Sequence, residues 1–195
     1  MTSPQHRLVV ATRNAHKLRE FERLLPGITV QALPGGVELP EETGETFAAN
    51  ALVKARAAAA ATGQAAIGDD SGIEAAALGG RPGVRSARFA GEDADDAANM
   101  AKLRELAPVG SKLRYVCALA HVSASGKEEV HVGECHGTLA AQPGGAHGFG
   151  YDPVFLPAAV EGGGRTMAEL TDAEKDAISH RGIAARRLLD ALSAG

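Results

Sequence analysis

The chain has 195 residues, 45% hydrophobic and 23% charged, a balance that excludes wholesale disorder and fits one domain with at most two lobes. A formal net charge of −4 with interspersed signs argues against a nucleic-acid polymer as partner, since such a protein would carry a positive stripe. No apolar run reaches membrane-spanning length and the first ten residues lack the apolar core of a signal peptide, so we expect a cytoplasmic protein with no membrane partner.

Strands and helices alternate in the first third of the chain. Residues 7–12 (RLVVAT) and 28–33 (ITVQAL) are short β-branched runs that predict two strands. Apolar residues between them recur at helical spacing and predict a helix that a Pro-Gly turn ends. Residues 46–62 are rich in alanine and predict a second helix, which Gly63 ends. Residues 65–68 (AAIG) then predict a brief buried strand that ends before two adjacent aspartates.

A hairpin dominates the rest of the chain. Residues 93–107 predict an amphipathic helix, and the segments 113–122 and 128–140 predict two strands that flank the turn SASGK. A glycine-rich loop leads to a short strand at 154–156, and the capping box TDAE at 171–174 opens a helical segment that breaks near His180. This order of elements predicts an α/β fold, a mixed β-sheet flanked by helices, in one folding unit over residues 1–195.

The two cysteines, Cys117 and Cys135, are too few for a disulfide framework and lack metal-ligand spacing. They flank the predicted hairpin turn, and we interpret them as two buried thiols that pack as small hydrophobic residues.

The joint between the first strand and the first helix, residues 11–17 (ATRNAHK), is a candidate anion site. Helix N-terminal amides favour an anion, and Lys17 would add a positive charge. The turn lacks the glycines of a Walker A loop or a dinucleotide fingerprint. A lysine in a first helical turn is also commonly a solvated surface residue, so this motif by itself leaves both interpretations open.

Acidic residues mark two further places. Glu42 precedes the second helix, on which Asn50 and Lys54 share a face, although an acidic residue there also favours the helix dipole. Asp69 and Asp70 are adjacent, and neighbouring side chains of a strand point to opposite faces. Two partly buried carboxylates repel unless a cation such as Mg²⁺ offsets them, while the alternative is a turn in which Asp70 caps backbone amides.

Two later motifs are candidate ligand contacts. In HGFGYDP, residues 147–153, glycines allow close backbone approach, and Phe149 and Tyr151 could stack on a ring. His180 and Arg181 lie at the predicted helix break, where backbone amides and these side chains converge. Loop glycines and a His-Arg pair at a helix break are commonly structural or solvated, so neither motif by itself indicates a function. An anion site with lysines, carboxylates suited to Mg²⁺ and a glycine–aromatic loop together indicate a nucleoside triphosphate.

On these motifs the sequence resembles the inosine/xanthosine triphosphate pyrophosphatase family, the Ham1-like proteins. The matching stretches occur in family order and cover nearly the whole chain: ATRNAHKLREFERLL, EETGETFAANALVKARAAA, DDSGIEAAALGGRPGVRSARFAG, GFGYDPVF and AELTDAEKDAISHRGIAARRLL. The resemblance implies hydrolysis of noncanonical purine nucleoside triphosphates (ITP, dITP, XTP and dXTP) to the monophosphate and pyrophosphate. It also implies Mg²⁺ dependence, a homodimer, and an elongated α/β fold of two lobes with a central active-site cleft.

The resemblance further implies roles for individual residues. Glu42 and Asp70 match metal-binding carboxylates, Asp70 matches the proposed proton acceptor, and Asp69 would be a supporting carboxylate at the metal. Glu41 is an alternative to Glu42 in the alignment. The positions that match phosphate and base contacts are Thr12, Arg13, Asn14, Ala15, His16, Lys17, Lys54 and Ser71 for the phosphates, and Phe149, Gly150, Tyr151, Asp152, Lys175, His180 and Arg181 for the base.

Two rival functions stay open at this point. One is a related nucleotide pyrophosphatase that acts on modified pyrimidines, as the Maf-like enzymes do. The other is a nucleotide-sensing protein that has lost catalysis, although a pure sensor would not need Glu42, Asp69 and Asp70 together. An aspartyl-phosphate phosphatase is disfavoured, because the first strand ends in Ala11-Thr12 rather than in an Asp-x-Asp motif.

Overall fold

A computed structural model describes residues 7–160 and 164–194. The expectation that the first ten residues lack the apolar core of a signal peptide therefore falls mostly outside the described residues. Within the described ranges there are six strands: β1 (Arg7–Val10), β2 (Thr29–Ala32), β3 (Ala66–Ala75), β4 (Lys112–Val122), β5 (Glu128–Leu139) and β6 (Phe155–Pro157). They form one sheet in the order β2-β1-β3-β4-β5-β6. β1 pairs in parallel with β2 and β3, whereas β5 and β6 are antiparallel, so the sheet is mixed as predicted.

Five α-helices accompany the sheet in the same described residues: α1 (Ala15–Leu24), α2 (Phe47–Thr62), α3 (Asp96–Leu106), α4 (Asp172–Ile178) and α5 (His180–Ala194). The α/β class is therefore confirmed. Across residues 7–160 and 164–194 no helix is both long enough and apolar enough to cross a membrane.

Local sequence signals account for the helix ends. Asn14 caps α1 by accepting hydrogen bonds from two backbone amides, and Gly63 ends α2 in the left-handed conformation with φ 65°. Thr171 and Glu174 form the predicted capping box of α4. The predicted break falls at Ser179, whose extended backbone separates α4 from α5.

The prediction that a strand ends before the aspartate pair is wrong. β3 runs for ten residues, from Ala66 to Ala75, and carries Asp69 and Asp70 in its middle. Both aspartates are buried. Charged residues are tolerated inside a buried strand when ion pairs and hydrogen bonds compensate them, which the run of apolar residues in the sequence does not reveal.

The chain divides into two compact units, each with its own core. The first unit comprises residues 7–70, 117–133 and 181–194, and the second comprises 71–116, 134–160 and 164–180. Cys117 is a buried thiol in the core of the first unit and Cys135 one in the core of the second, which confirms the predicted burial. Other core side chains are Leu8, Phe21, Ile67, Leu119 and Leu188 in the first unit, and Ile73, Leu103, Leu139, Phe155 and Met167 in the second.

Candidate active site

Asp69 is the centre of a buried charge cluster in the first unit. Its Oδ1 accepts a hydrogen bond from the Lys17 ammonium, and its Oδ2 lies 2.9 Å from Arg181 Nε. Cys117 Sγ donates to the same Oδ2 at 3.1 Å. On the far side of the guanidinium, Arg181 Nη1 donates to the carboxylate of Glu20. We call these five residues the Asp69 cluster.

Burial and neighbouring charges shift the pKa of Asp69 in opposite directions. Burial alone would raise the pKa of Asp69, but the attraction of Arg181 and Lys17 outweighs it and holds that pKa well below its usual range. Burial and the adjacent Asp69 carboxylate raise the pKa of Cys117 well above its usual value. Asp69 therefore stays ionised and Cys117 stays a neutral donor at physiological pH.

A close approach of α2 to β3 brings two polar helix residues to the aspartate pair. A Cβ at Gly68 would overlap the carbonyl oxygen of Ala51, so glycine is required where the helix lies against the strand. With α2 in this place, Asn50 and Lys54 reach the strand one turn apart. Both side chains are buried on one face of α2, as their spacing predicts, and both reach the aspartate pair.

Asp70 has a different set of partners from Asp69. Asn50 Nδ2 donates to Asp70 Oδ2 at 2.9 Å, and Lys54 Nζ lies 3.8 Å from Asp70 Oδ1. The same ammonium donates to Glu42 Oε1 and to the backbone oxygen of Asp69, both at 2.5 Å. Burial raises the pKa of Asp70 to about 6, because Lys54 offsets its charge incompletely and Glu42 adds negative charge nearby.

The donor set around Lys54 suits a hard divalent cation. Glu42 and Asp70 present carboxylate oxygens to one ammonium, and Mg²⁺ is commonly held by one or two carboxylates together with waters and substrate phosphates. Among the described residues no group of three or more His, Cys, Asp or Glu side chains could hold a metal ion by itself. The raised pKa of Asp70 marks a carboxylate that an added cation would stabilise, so a two-carboxylate site fits.

The predicted anion loop, residues 12–17, is held by its own side chains. Thr12 Oγ1 accepts from the Asn14 amide at 3.1 Å, and Asn14 Oδ1 accepts from the amides of His16 at 2.8 Å and Lys17 at 3.2 Å. The Asn14 side chain thus already accepts hydrogen bonds from two amides that we expected to face an anion.

Arg13 connects this loop to a second loop. Its guanidinium donates to the backbone oxygens of Leu33, Pro34 and Val37 at distances of 2.6–2.9 Å. Arg13 therefore shapes the segment that precedes Glu42. Within the same stretch, the side chains of Ala15 and His16 are exposed.

A second buried carboxylate, Asp152, organises the glycine–aromatic motif in the second unit. Lys175 Nζ lies 2.7 Å from Asp152 Oδ2, which also accepts the backbone amide of Phe149 at 3.1 Å. Tyr115 donates its hydroxyl to Asp152 Oδ1 at 3.1 Å. A Cβ at Gly148 would overlap Asp152 Oδ2, and the φ of Gly148 is +75°. We call Tyr115, Phe149, Asp152 and Lys175 the Asp152 cluster.

The two aromatic residues of the motif differ in their surroundings. The Phe149 ring is half-buried, and the Lys175 ammonium lies 5.2 Å from its centroid. Tyr151 is buried and donates its hydroxyl to the backbone oxygen of Ser86 at 2.7 Å, so its ring belongs to the core. Gly150 donates its amide to Asp96 Oδ2 at 2.6 Å.

Two other candidate positions lie in the second unit. The His180 ring is buried and stacks on Tyr115 at a centroid distance of 4.6 Å. Ser71 is half-buried on β3, directly after Asp70.

Sequence reasoning did not identify Glu20, Cys117 or Tyr115 as parts of these clusters. A signal for Glu20 was present, because it lies on the α1 stripe that also carries Lys17, Phe21 and Leu24 at helical spacing. A charged residue among core positions of an amphipathic helix indicates a buried partner. Cys117 and Tyr115 lie on β4, where a nearly continuous apolar run predicts burial but not the carboxylate that each contacts.

Comparison with known proteins gives concordant matches over almost the entire chain. The model of the Ham1 family matches residues 8–191. A relative from Frankia alni named dITP/XTP pyrophosphatase is 49% identical, over 93% of this chain and 95% of the relative. A Mycobacterium tuberculosis relative of the same name is 52% identical, over 95% of each.

Solved structures match as well. A HAM1 protein from Coxiella burnetii superposes with a TM-score of 0.84 at 38% identity, covering 97% of this chain and 100% of that one. The Staphylococcus aureus Ham1 protein has a TM-score of 0.83 at 36% identity, covering 96% and 98% respectively. Sequence and fold therefore point to the same set of proteins.

Proposed function

This chain belongs to the Ham1 family, and we propose that it hydrolyses noncanonical purine nucleoside triphosphates, namely ITP, dITP, XTP and dXTP, to the monophosphate and pyrophosphate. The relatives named dITP/XTP pyrophosphatase support this substrate class. The observation that carries the proposal is that the two adjacent aspartates differ in their charged partners. Asp69 is bonded to two cations, whereas the negative charge of Asp70 is only partly offset. We therefore assign to Asp69 the role of positioning the lysines, and to Asp70 a direct role in the reaction.

Two lysines next to the aspartate pair supply positive charge for the triphosphate. Lys17 contacts the side chain of Asp69, and Lys54 contacts its backbone oxygen, so both ammonium groups share one hydrogen-bond partner. Fixed cations stabilise the charge that develops on departing pyrophosphate without reorganising during the reaction. In this proposal the loop of Thr12 and Asn14 orients Lys17 at the start of α1, and Ser71 adds a hydroxyl donor to the phosphates.

Glu42 and Asp70 would hold Mg²⁺, while Asp69, with both carboxylate oxygens bonded to cations and a thiol, supports the lysines instead. When bound, a divalent cation offsets phosphate charge and leaves phosphorus open to attack. The proximity of Glu42 to the Lys54 ammonium supports Glu42 over Glu41, whose side chain is exposed.

Asp70 is the residue we propose to accept a proton from the attacking water. A general base works best when its pKa lies near the operating pH, and burial brings the pKa of Asp70 to about 6. Asn50 holds one oxygen of this carboxylate and thereby orients the other. In-line attack at the α-phosphorus would release pyrophosphate.

The Asp152 cluster is the part we propose to read the base. A 6-keto purine presents an acceptor at O6 and a donor at N1, which the Lys175 ammonium and the Asp152 carboxylate complement. Adenine, with a donor at position 6, would leave such groups unpaired at about 1–3 kcal/mol each. Phe149 offers a half-buried ring for stacking, whereas Arg181 is committed to two buried carboxylates. His180 and Tyr151 support the cluster through packing.

A cytoplasmic location and a homodimer complete the proposal. A pool-cleansing enzyme acts where nucleotides are used, and light scattering after size-exclusion chromatography tests the dimer.

The decisive experiment identifies products and substrate preference. The purified protein is incubated with ITP, XTP, GTP or ATP, with Mg²⁺ or with a chelator, and pyrophosphate and orthophosphate are quantified separately. We expect pyrophosphate from ITP and XTP, and little turnover of ATP or of any substrate in chelator. Orthophosphate as the sole product would contradict the proposal, and preference for modified pyrimidine triphosphates would favour the Maf-like alternative.

A further inference from the structure

We propose that Glu20 is a positioning residue that acts through Arg181 to hold Asp69, and through Asp69 the two lysines Lys17 and Lys54. This inference rests on the proposed function, because it assigns those lysines to a triphosphate. Glu20 belongs to none of the motif positions expected to touch phosphate, metal or base.

The burial of the connecting residues supports the proposal. Glu20 is 6% exposed, Arg181 1% and Asp69 1%, although each carries a full charge. A buried guanidinium is tolerated when carboxylates surround it, and Arg181 has one on either side, from α1 and from β3. Glu20 thus supplies the second negative charge that Arg181 needs.

The charges in this cluster balance. Two cations, Lys17 and Arg181, face two carboxylates, Glu20 and Asp69. If Glu20 were neutral, the attraction between Arg181 and Asp69 would have less competition, and Arg181 Nη2 already lies 3.5 Å from the Asp69 oxygen that Lys17 contacts. Competition for that oxygen would loosen Lys17.

A change in the position of Asp69 would affect both lysines. Its side chain contacts Lys17 and its backbone oxygen accepts from Lys54, so a shift of the residue moves two ammonium groups together. Misplacement of charged groups by about 1 Å can reduce turnover by roughly two orders of magnitude. Ground-state attraction to an anion would not fall, because the cluster gains one unit of positive charge.

The test compares Glu20→Gln with Glu20→Asp and with Glu22→Gln. Gln keeps the volume of Glu20 and removes its charge, Asp keeps the charge, and Glu22 is an exposed carboxylate on the same helix. Steady-state kcat and KM for ITP are measured, and binding of inorganic tripolyphosphate is measured by calorimetry. Val9→Ala, which leaves a cavity in a separate core cluster, serves as a control for loss of stability.

We expect Glu20→Gln to lower kcat about tenfold or more, while tripolyphosphate binds with full stoichiometry and an unchanged or several-fold lower Kd. Glu20→Asp should recover most of kcat, and Glu22→Gln and Val9→Ala should leave kcat per folded molecule within about twofold. A kcat within twofold of wild type for Glu20→Gln, or tripolyphosphate binding that weakens, would overturn the inference.

Failure of the proposed function gives a different result. If the unaltered protein hydrolyses no nucleoside triphosphate, the proposed function falls. The tripolyphosphate measurement still decides the role of Glu20, because weaker or absent binding in Glu20→Gln contradicts the charge balance described above, and retained binding agrees with it.

Discussion

The Asp69 and Asp152 clusters both surround a buried carboxylate, yet they differ in how its charge is compensated. Asp69 contacts two cations and a thiol, and a second carboxylate shares one of those cations. Asp152 contacts one ammonium, a neutral phenol and a backbone amide. In the function we propose, the first arrangement would fix positive charges for the triphosphate, and the second would place Lys175 and Asp152 toward the base.

Asp70 differs from both Asp69 and Asp152 in its partners. It is the immediate neighbour of Asp69 on β3, but its contacts are an amide and an ammonium that Glu42 also uses. The pKa of Asp69 lies well below the usual range, whereas that of Asp70 rises to about 6. Two adjacent residues of one type thus differ through the partners that each face of the strand provides.

Replacing Asp70 with Asn should have the largest effect. The substitution keeps the shape and the contact with Asn50 but removes the proposed proton acceptor, so we expect kcat for ITP to fall by about 10²–10⁴-fold. Isothermal calorimetry should show that nucleotide binding survives in part. Glu41→Gln, an exposed carboxylate one residue from Glu42, is the control and should retain activity.

Full turnover by Asp70→Asn would contradict the proposal that Asp70 accepts the proton of the attacking water. Loss of turnover by Glu41→Gln would instead move the proposed metal ligand from Glu42 to Glu41.

The chain's pattern predicted most of the fold and part of the site. Helical spacing and capping residues located α1, α2 and α4, and the turn SASGK located the hairpin. Asp69 and Asp70 were identified as a pair, but their different partners come from α1, α2 and α5, which only tertiary packing brings to β3. The long reach of β3 was missed because a buried ion pair has no local signature in the sequence.

The free energy of unfolding of the protein in the presence of a chelator should depend on pH through Asp70. The pKa of Asp70 rises from 3.8 to about 6 in the folded state, so its protonated form is favoured there and its contribution to stability is lost as pH rises through 6. At about 1.4 kcal/mol per pKa unit, wild type should lose up to about 3 kcal/mol relative to Asp70→Asn between pH 4 and pH 7.

Urea unfolding at pH 4.5, 5.5 and 7 measures this difference, and comparison with Asp70→Asn removes the contributions of other titrating groups. Asp69 acts in the opposite sense, since its lowered pKa gives stability that persists above pH 4 and is lost as pH falls further. A difference between wild type and Asp70→Asn that does not change with pH would contradict the raised pKa of Asp70.

The smallest expected effect separates the geometry of the Asp152 cluster from backbone strain. Gly148 and Gly150 have φ of +75° and +65°, but an added Cβ meets the Asp152 carboxylate at Gly148 and open space at Gly150. Alanine at either position costs stability through strain, whereas alanine at 148 also displaces Asp152 from Lys175. We therefore expect Gly148→Ala to reduce the ratio of kcat/KM for ITP over ATP about tenfold, an effect of about 1.4 kcal/mol.

Gly150→Ala should lower the melting temperature while leaving this ratio within about twofold. Equal losses of selectivity in the two variants would mean that backbone conformation, rather than the position of the Asp152 carboxylate, sets base preference. Loss of selectivity in Gly148→Ala alone would instead show that one added methyl group displaces the Asp152 carboxylate enough to change base preference.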